Sequence, residues 1–254
     1  MQYRNPAEKV VIGYLHPGHY SAGFGESLLD LLQYDVATHR RVVEGGGRIS
    51  FRASANLATP RNRVVEQFLE YGKADWLLFL DSDMTFDPDL VERLLEHADP
   101  EQAPIVGGLC FGFDENGDVQ PTLYGFMGSD QDDWSTMDVI RFHEWKPDSM
   151  YQVAATGGAC LLIHKRVLVA MRDFAHPSGR VGFDEAYPWF QEMKHNGKPV
   201  GEDIAFCWRA IQAGFPVYVN TAVQLGHVKD RVLTMDAYFL SRGLLSPTHV
   251  GATA

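Results

Sequence analysis

Trp76-Leu77-Leu78-Phe79-Leu80 runs without interruption into Asp81-Ser82-Asp83, and this stretch decides the fold. Five consecutive apolar residues followed by polar ones have the length of a buried strand in an α/β chain. Two carboxylates one residue apart at the end of such a strand make a hard-cation site. Oxygen donors of this kind suit Mg²⁺ or Mn²⁺, and such ions are held by one or two protein carboxylates while phosphate oxygens of a ligand fill much of the remaining shell. The stretch therefore points to a metal-dependent enzyme that handles a diphosphate.

Outward from it, strands and helices alternate. Upstream, Val64, Val65, Phe68 and Leu69 repeat at helical spacing within residues 61–72, and Pro60 fits near the first turn. Downstream, Asp87 is placed to cap a helix with Pro88 in its first position and Leu90, Val91, Leu94 and Leu95 on its apolar face. Residues 9–15 read as the first buried strand, and the turn His16-Pro17-Gly18-His19 after it falls where an α/β sheet meets a ligand. Residues 26–43 carry a mixed helical pattern, Gly45-Gly46-Gly47 breaks it, and residues 48–53 form a second strand. The glycine triplet lacks the Lys-Ser/Thr tail of a phosphate loop, so it reads as a turn.

Residues 104–111 are a further apolar strand. Residues 112–150, rich in Gly and Asp, read as an excursion of short strands over the sheet. Residues 151–164 resume the strand pattern across the break Thr156-Gly157-Gly158, and a helix begins at Lys165. Periodicity fades again over residues 174–200, which carry Tyr187, Pro188, Trp189 and Phe190 and are expected to form a mobile lid. Gly201-Glu202-Asp203 opens a helix closed by Gly214, residues 215–219 form a strand, and residues 223–227 lead to His227.

Composition narrows the class. With 254 residues and 45% hydrophobic content the chain can bury a substantial core, and a single domain is expected. The balance of 22 basic against 33 acidic residues, a net charge of −11, argues against nucleic acid as a partner. No apolar run approaches the ~20 residues of a membrane span, and no signal-peptide pattern precedes the first strand, so a soluble, cytoplasmic protein without an integral membrane segment is expected. Cys110, Cys160 and Cys207 stand singly in apolar segments and read as buried reduced thiols.

Four features now stand in one order: Arg61-Asn62 opening a helix, Asp81-Ser82-Asp83 after a strand, Gly201-Glu202-Asp203 at a helix start, and His227. With Thr156-Gly157-Gly158 between them, the set resembles the GT-A fold glycosyltransferases, and among them the family-2-like group that uses nucleotide-sugar donors, over residues 9–228. The resemblance implies an α/β fold, Rossmann-like, with a mixed, mostly parallel central sheet flanked by helices. It divides the single domain 1–254 into a nucleotide-sugar-binding half, 9–110, an acceptor-binding half, 111–228, and a tail, 229–254.

The same resemblance implies roles. Asp81 lies near the donor ribose and the metal, Asp83 coordinates a Mn²⁺ or Mg²⁺ ion that bridges the diphosphate, and His227 is a further ligand. Leu15, His16 and Pro17 line the nucleobase pocket, with Ser82 beside the donor. Arg61 reaches the donor pocket. Gly157 and Gly158 lie under the donor sugar and acceptor, where missing side chains let a ligand approach the backbone. Asp203 is the general base of an inverting transfer and Glu202 binds acceptor hydroxyls. Trp189 and Tyr187 suit either a sugar-stacking face or the core. Read from the residues themselves, Asp130, Asp132, Asp133 and Trp134 in the central excursion suit either a solvated acidic loop or a role in acceptor choice.

The expected activity is transfer of one sugar from a nucleoside diphosphate sugar to a hydroxyl of a glycan, small-molecule or protein acceptor. Three alternatives remain open at this stage: a retaining GT-A enzyme, a nucleotidyltransferase, and a sugar-nucleotide-binding module without turnover. His16-Pro17-Gly18-His19 is not the glycine-rich basic loop that a nucleotidyltransferase would normally show.

Overall fold

Trp76–Leu80 is a strand buried at every position, and its side chains divide between two cores. Leu77 and Phe79 enter one apolar cluster, while Trp76, Leu78 and Leu80 enter the other. Successive side chains of a strand point to opposite faces, so a strand apolar at every position must be covered twice. The computed structural model describes residues 8–54, 56–71, 73–114, 117–127, 138–175 and 187–229.

Among the described residues seven strands make the central sheet: β1 (Val10–His16), β2 (Arg48–Arg52), β3 (Trp76–Leu80), β4 (Ile105–Leu109), β5 (Met150–Val153), β6 (Cys160–His164) and β7 (Val217–Gln224). Their spatial order is β5-β7-β4-β6-β3-β1-β2. β1 pairs in parallel with β2 and β3, and β7 with β4; β6 runs antiparallel to both β3 and β4, and β5 antiparallel to β7. Five of the seven strands thus share one direction, which is the mixed, mostly parallel sheet expected.

Among the described residues six helices accompany the sheet: α1 (Ala22–Ala37), α2 (Arg41–Gly45), α3 (Ala58–Tyr71), α4 (Leu90–Leu95), α5 (Lys165–Ala175) and α6 (Glu202–Gln212). Residues of α3, α5 and α6 join one core, and residues of α1, α2 and α4 join the other. Gly13 of β1 lets α3 settle on the sheet, because a Cβ there would stand 2.6 Å from Val64 Cγ1.

Local chemistry moved several boundaries. The pattern over residues 26–43 is two helices, because the buried Asp35 carboxylate accepts from the amides of Val42 and Val43 and so caps α2. Ser21 caps α1, its hydroxyl oxygen accepting from the Phe24 amide at 3.1 Å. Asp87 does not cap the helix assigned to it. α4 begins at Leu90, and the Asp87 carboxylate instead accepts from Arg93 Nη1 at 3.2 Å.

The excursion after β4 contains short strands, a hairpin of Phe111–Phe113 with Val119–Pro121 and a small sheet of Ala155–Thr156, Leu123–Met127 and Asp138–Arg141. Asp130, Asp132, Asp133 and Trp134 lie outside the described residues. The expected lid over residues 174–200 is not seen in its described part. There Tyr187, Trp189 and Phe190 are buried in the core, and Met193–His195 pairs with Lys198–Val200 as a hairpin. No described helix is long and apolar enough to cross a membrane.

Candidate active site

Parallel pairing carries β1 and β3 to the same end of the sheet, so the turn after Leu15 and the turn after Leu80 become neighbours. Because β6 runs the other way, the segment leading into it arrives at this end too, and the Asp81 amide donates to the Ala159 carbonyl at 3.0 Å. After β7 the chain crosses here as well: Gly226–His227 pairs with Met84–Thr85, and the Val228 amide donates to the Asp83 carbonyl at 2.8 Å. The Ser21 amide at the head of α1 donates to the Ser82 carbonyl at 3.0 Å. Three separate segments therefore fix the acidic turn.

They enclose a cavity of about 550 Å³. Leu15, His16 and Pro17, the acidic turn Asp81-Ser82-Asp83, and His227 with Lys229 all line it. Arg61, Gly157, Gly158, Trp189, Glu202 and Asp203 are not on its lining.

Asp83 is the most heavily engaged group. Its Oδ2 accepts from His227 Nε2 at 3.0 Å and from Lys229 Nζ at 2.8 Å. Partial burial pushes the Asp83 carboxyl up, but the hydrogen bonds from His227 and Lys229 outweigh it and bring the pKa down to about 2. The same Asp83 bond raises the His227 pKa against its burial. Nδ1 of His227 donates to the Phe111 carbonyl at 2.7 Å, so both ring nitrogens carry protons in this arrangement.

Among the described residues no three His, Cys, Asp or Glu side chains converge as a metal-binding group. The expected triplet Asp81, Asp83 and His227 is thus not assembled, because Asp81 Oδ1 is turned to the Arg61 guanidinium at 3.1 Å. The pair Asp83 and His227 does fit a Mn²⁺ or Mg²⁺ ion. Their donor atoms, 3.0 Å apart, have the spacing of neighbouring ligands of one octahedral ion with bonds near ~2.1 Å. The Phe111 carbonyl holds Nδ1 protonated, which leaves Nε2 as the ligating nitrogen once its proton is lost. A bound ion would take the place that the Nε2 proton and the Lys229 ammonium fill here.

A second cluster lies behind the acidic turn. Arg61, only 3% exposed, points its Nη1 at Glu202 Oε1 at 3.3 Å while its Nη2 holds Asp81. Burial would lower its pKa, but the charges of Asp81, Asp203 and Glu202 raise it on balance, so it stays a cation. Glu202 has its pKa raised by burial, with Arg61 offsetting part of the effect. Asp203, in the first turn of α6, accepts from the Gly158 amide at 3.3 Å and from the Ile204 amide at 2.8 Å.

Two expectations change here. Arg61 does not line the cavity; it is buried against Asp81. Trp189 is no sugar platform, being 2% exposed with its indole nitrogen donating to the Leu168 carbonyl at 2.9 Å. The sequence reading passed over Lys229, although its place two residues after His227 in a segment leaving a strand was a same-face signal. It also left Asn62 without a role. The Asn62 amide pairs with the Phe190 backbone in both directions, at 2.8 and 3.2 Å, and pins Phe190 under Arg61.

The fold is that of the GT-A proteins. In comparison with known proteins, residues 58–162 match the family model described as Glycosyl transferase family 2, a segment that includes Arg61, the acidic turn and Gly157-Gly158. The matched segment is thus similar to glycosyl transferase family 2 and is carried on a fold of the GT-A kind. Among solved structures it is similar to A197 from STIV, with 17% identity, a TM-score of 0.50, and coverage of 87% of this chain and 86% of that one. It is also similar to GalNAc-T7, crystallised with UDP, GalNAc and Mn²⁺, with 14% identity, a TM-score of 0.53 and coverage of 89% of this chain. The likeness spans 45% of the GalNAc-T7 chain, less than half its length. A search of curated proteins found no match.

Proposed function

We propose that this chain is a metal-dependent, inverting glycosyltransferase that moves a sugar from a nucleoside diphosphate sugar to an acceptor hydroxyl. The observation that carries the reading is the Asp83–His227 pair lining a 550 Å³ cavity at the ligand end of a GT-A sheet. The family match and the UDP and Mn²⁺ in the GalNAc-T7 structure support the same reading.

In this reading the donor half, 9–110, supplies the walls around the nucleoside, with Leu15, His16 and Pro17 beside the base and Asp81 and Ser82 beside the ribose. Asp83 and His227 would hold a divalent ion, Mn²⁺ or Mg²⁺, which would supply Lewis-acid stabilisation of charge on a diphosphate leaving group. Lys229, released from Asp83, adds a positive charge at the same cavity. On the acceptor side, within 111–228, Asp203 takes the proton of the attacking hydroxyl and Glu202 orients that acceptor. Two backbone amides, those of Gly158 and Ile204, donate to the Asp203 carboxylate and orient it at the head of α6. The acceptor is a glycan, a small molecule or a protein side chain. Three buried free thiols suit a reducing compartment, which supports a cytoplasmic site of action.

Incubation with UDP-, GDP- and dTDP-sugars in Mn²⁺ or Mg²⁺ tests the reading. Donor hydrolysis or transfer with an inverted anomer by NMR is expected. A retained anomer overturns the base assignment, release of pyrophosphate indicates a nucleotidyltransferase, and binding without turnover a non-catalytic module.

A further inference from the structure

Arg61 is a charge in a place that charges avoid. Its guanidinium is 3% exposed, is absent from the cavity lining, and carries two nitrogens, Nε and Nη1, without a hydrogen-bond partner. Burying a cation is costly unless opposite charges surround it. Here they do: Asp81 Oδ1 stands 3.1 Å from Nη2 and Glu202 Oε1 3.3 Å from Nη1.

These carboxylates come from opposite sides of the site. Asp81 ends β3 on the donor side, and Glu202 opens α6 on the acceptor side. Phe190 lies under the guanidinium, 5.7 Å from ring centroid to Cζ, and stacks in turn on Phe206 of α6 at 4.4 Å. Gly158 closes the remaining side. A Cβ on it would stand 2.3 Å from Nη1 and 2.8 Å from Cζ, so only a glycine leaves the guanidinium where it is. The same Gly158 donates its amide to Asp203. One buried side chain thus touches Asp81 and Glu202 directly, and abuts the residue that holds Asp203.

We propose that Arg61 is a positioning residue, not a donor ligand: a buried cation that sets Asp81, Glu202 and, through Gly158, Asp203 in one fixed spacing. This rests on the glycosyltransferase reading above for what the three carboxylates do. Displacing a reacting group by about 1 Å costs roughly 10²-fold in rate, so a clamp of this kind governs turnover without touching substrate.

The test is a double-mutant cycle of Arg61→Met and Gly158→Ala, with Arg61→Lys as the charge-retaining variant and as the substitute background if Arg61→Met does not fold. In the native chain Gly158→Ala should lower the melting temperature by several degrees; without the guanidinium it should lower it by less than half as much. Additive shifts overturn the clamp, and this readout needs no substrate. In turnover, Arg61→Met should lower kcat roughly 10²-fold, and Arg61→Lys should restore most of that loss. Calorimetry with UDP and UMP, and with GDP and GMP, separates a clamp from a phosphate ligand. A clamp leaves the diphosphate-to-monophosphate affinity ratio unchanged in Arg61→Lys and Arg61→Met, whereas collapse of that ratio means that Arg61 binds phosphate and overturns the proposal. If the native chain binds none of these nucleotides in Mn²⁺, the glycosyltransferase reading fails, and the melting cycle still reports separately on the clamp.

Discussion

His227 Nε2 lies 3.0 Å from Asp83 Oδ2, although 144 residues separate the two in sequence. A short strand pair, Gly226–His227 against Met84–Thr85, holds them together, so the spacing is set by backbone hydrogen bonds and not by two flexible side chains meeting. Lys229 donates to the same carboxylate oxygen at 2.8 Å and therefore competes with any ion that approaches it.

The competition has a sign. Lys229→Ala should bind Mn²⁺ more tightly than the native chain when no nucleotide is present, and bind UDP or GDP in Mn²⁺ less tightly. Exposed ion pairs contribute up to about 1 kcal/mol, so the gain in Mn²⁺ affinity should be no more than about fivefold. Electron paramagnetic resonance of free Mn²⁺ reads the first effect and calorimetry the second. Changes of the same sign in both would contradict the arrangement.

The carboxylates at the two ends of the site should fail differently. Asp83→Ala should abolish metal-dependent nucleotide binding. Asp203→Asn should leave it nearly intact and cut transfer by roughly 10² to 10⁴, the range expected for a general base. Equal loss of nucleotide affinity in both variants would refute this division of labour.

The Asp83–His227 contact also predicts a pH window for metal-free stability. Asp83 has its pKa depressed to about 2, so its contribution is complete above the ordinary 3.8 and is lost as pH falls through about 2. His227 has its pKa raised, so its contribution is complete below the ordinary 6.5 and is lost as pH rises through the higher folded value. Urea unfolding of the native chain and of His227→Gln should thus differ most between about pH 4 and 6.5 and converge on either side. A difference that grows steadily towards alkaline pH would show that the imidazolium is not the stabilising form.

Trp189→Phe should cost stability and leave donor KM unchanged. It removes a hydrogen bond to the Leu168 carbonyl, worth about 0.5–1.5 kcal/mol, from a residue with 2% exposure. A raised KM with unchanged unfolding would return Trp189 to the substrate.

The parts of the fold that were legible in the sequence are those where side-chain pattern and backbone agree. Residues 76–80 are apolar throughout because both faces are covered, and Gly201-Glu202-Asp203 opens a helix as its composition indicates. The acidic turn, the Leu15-His16-Pro17 wall and His227 all reach one cavity. Tertiary context decided the rest. Asp87 has the residues of a cap around it, yet Arg93 draws its carboxylate away. Arg61 and Trp189 are types found in binding sites as often as in interiors, and only the packing of Phe190, Gly158 and Leu168 around them shows which. The pairing of Asp83 with Lys229 depends on the docking of Gly226–His227 against Met84–Thr85, a contact across 146 residues that the local spacing of His227 and Lys229 does not reveal.

The short pairing of Gly226–His227 with Met84–Thr85 also bears on the order of events during synthesis. When Asp83 leaves the ribosome its partners His227 and Lys229 have yet to be translated. The nascent protein therefore carries the acidic turn half-built until the late segment docks, a closure over a long loop that chain entropy makes slow. A chain ending before that segment would carry Asp83 without His227 and Lys229, so the metal pair of the proposed reading is completed by the Gly226–His227 pairing and not by the carboxylates alone.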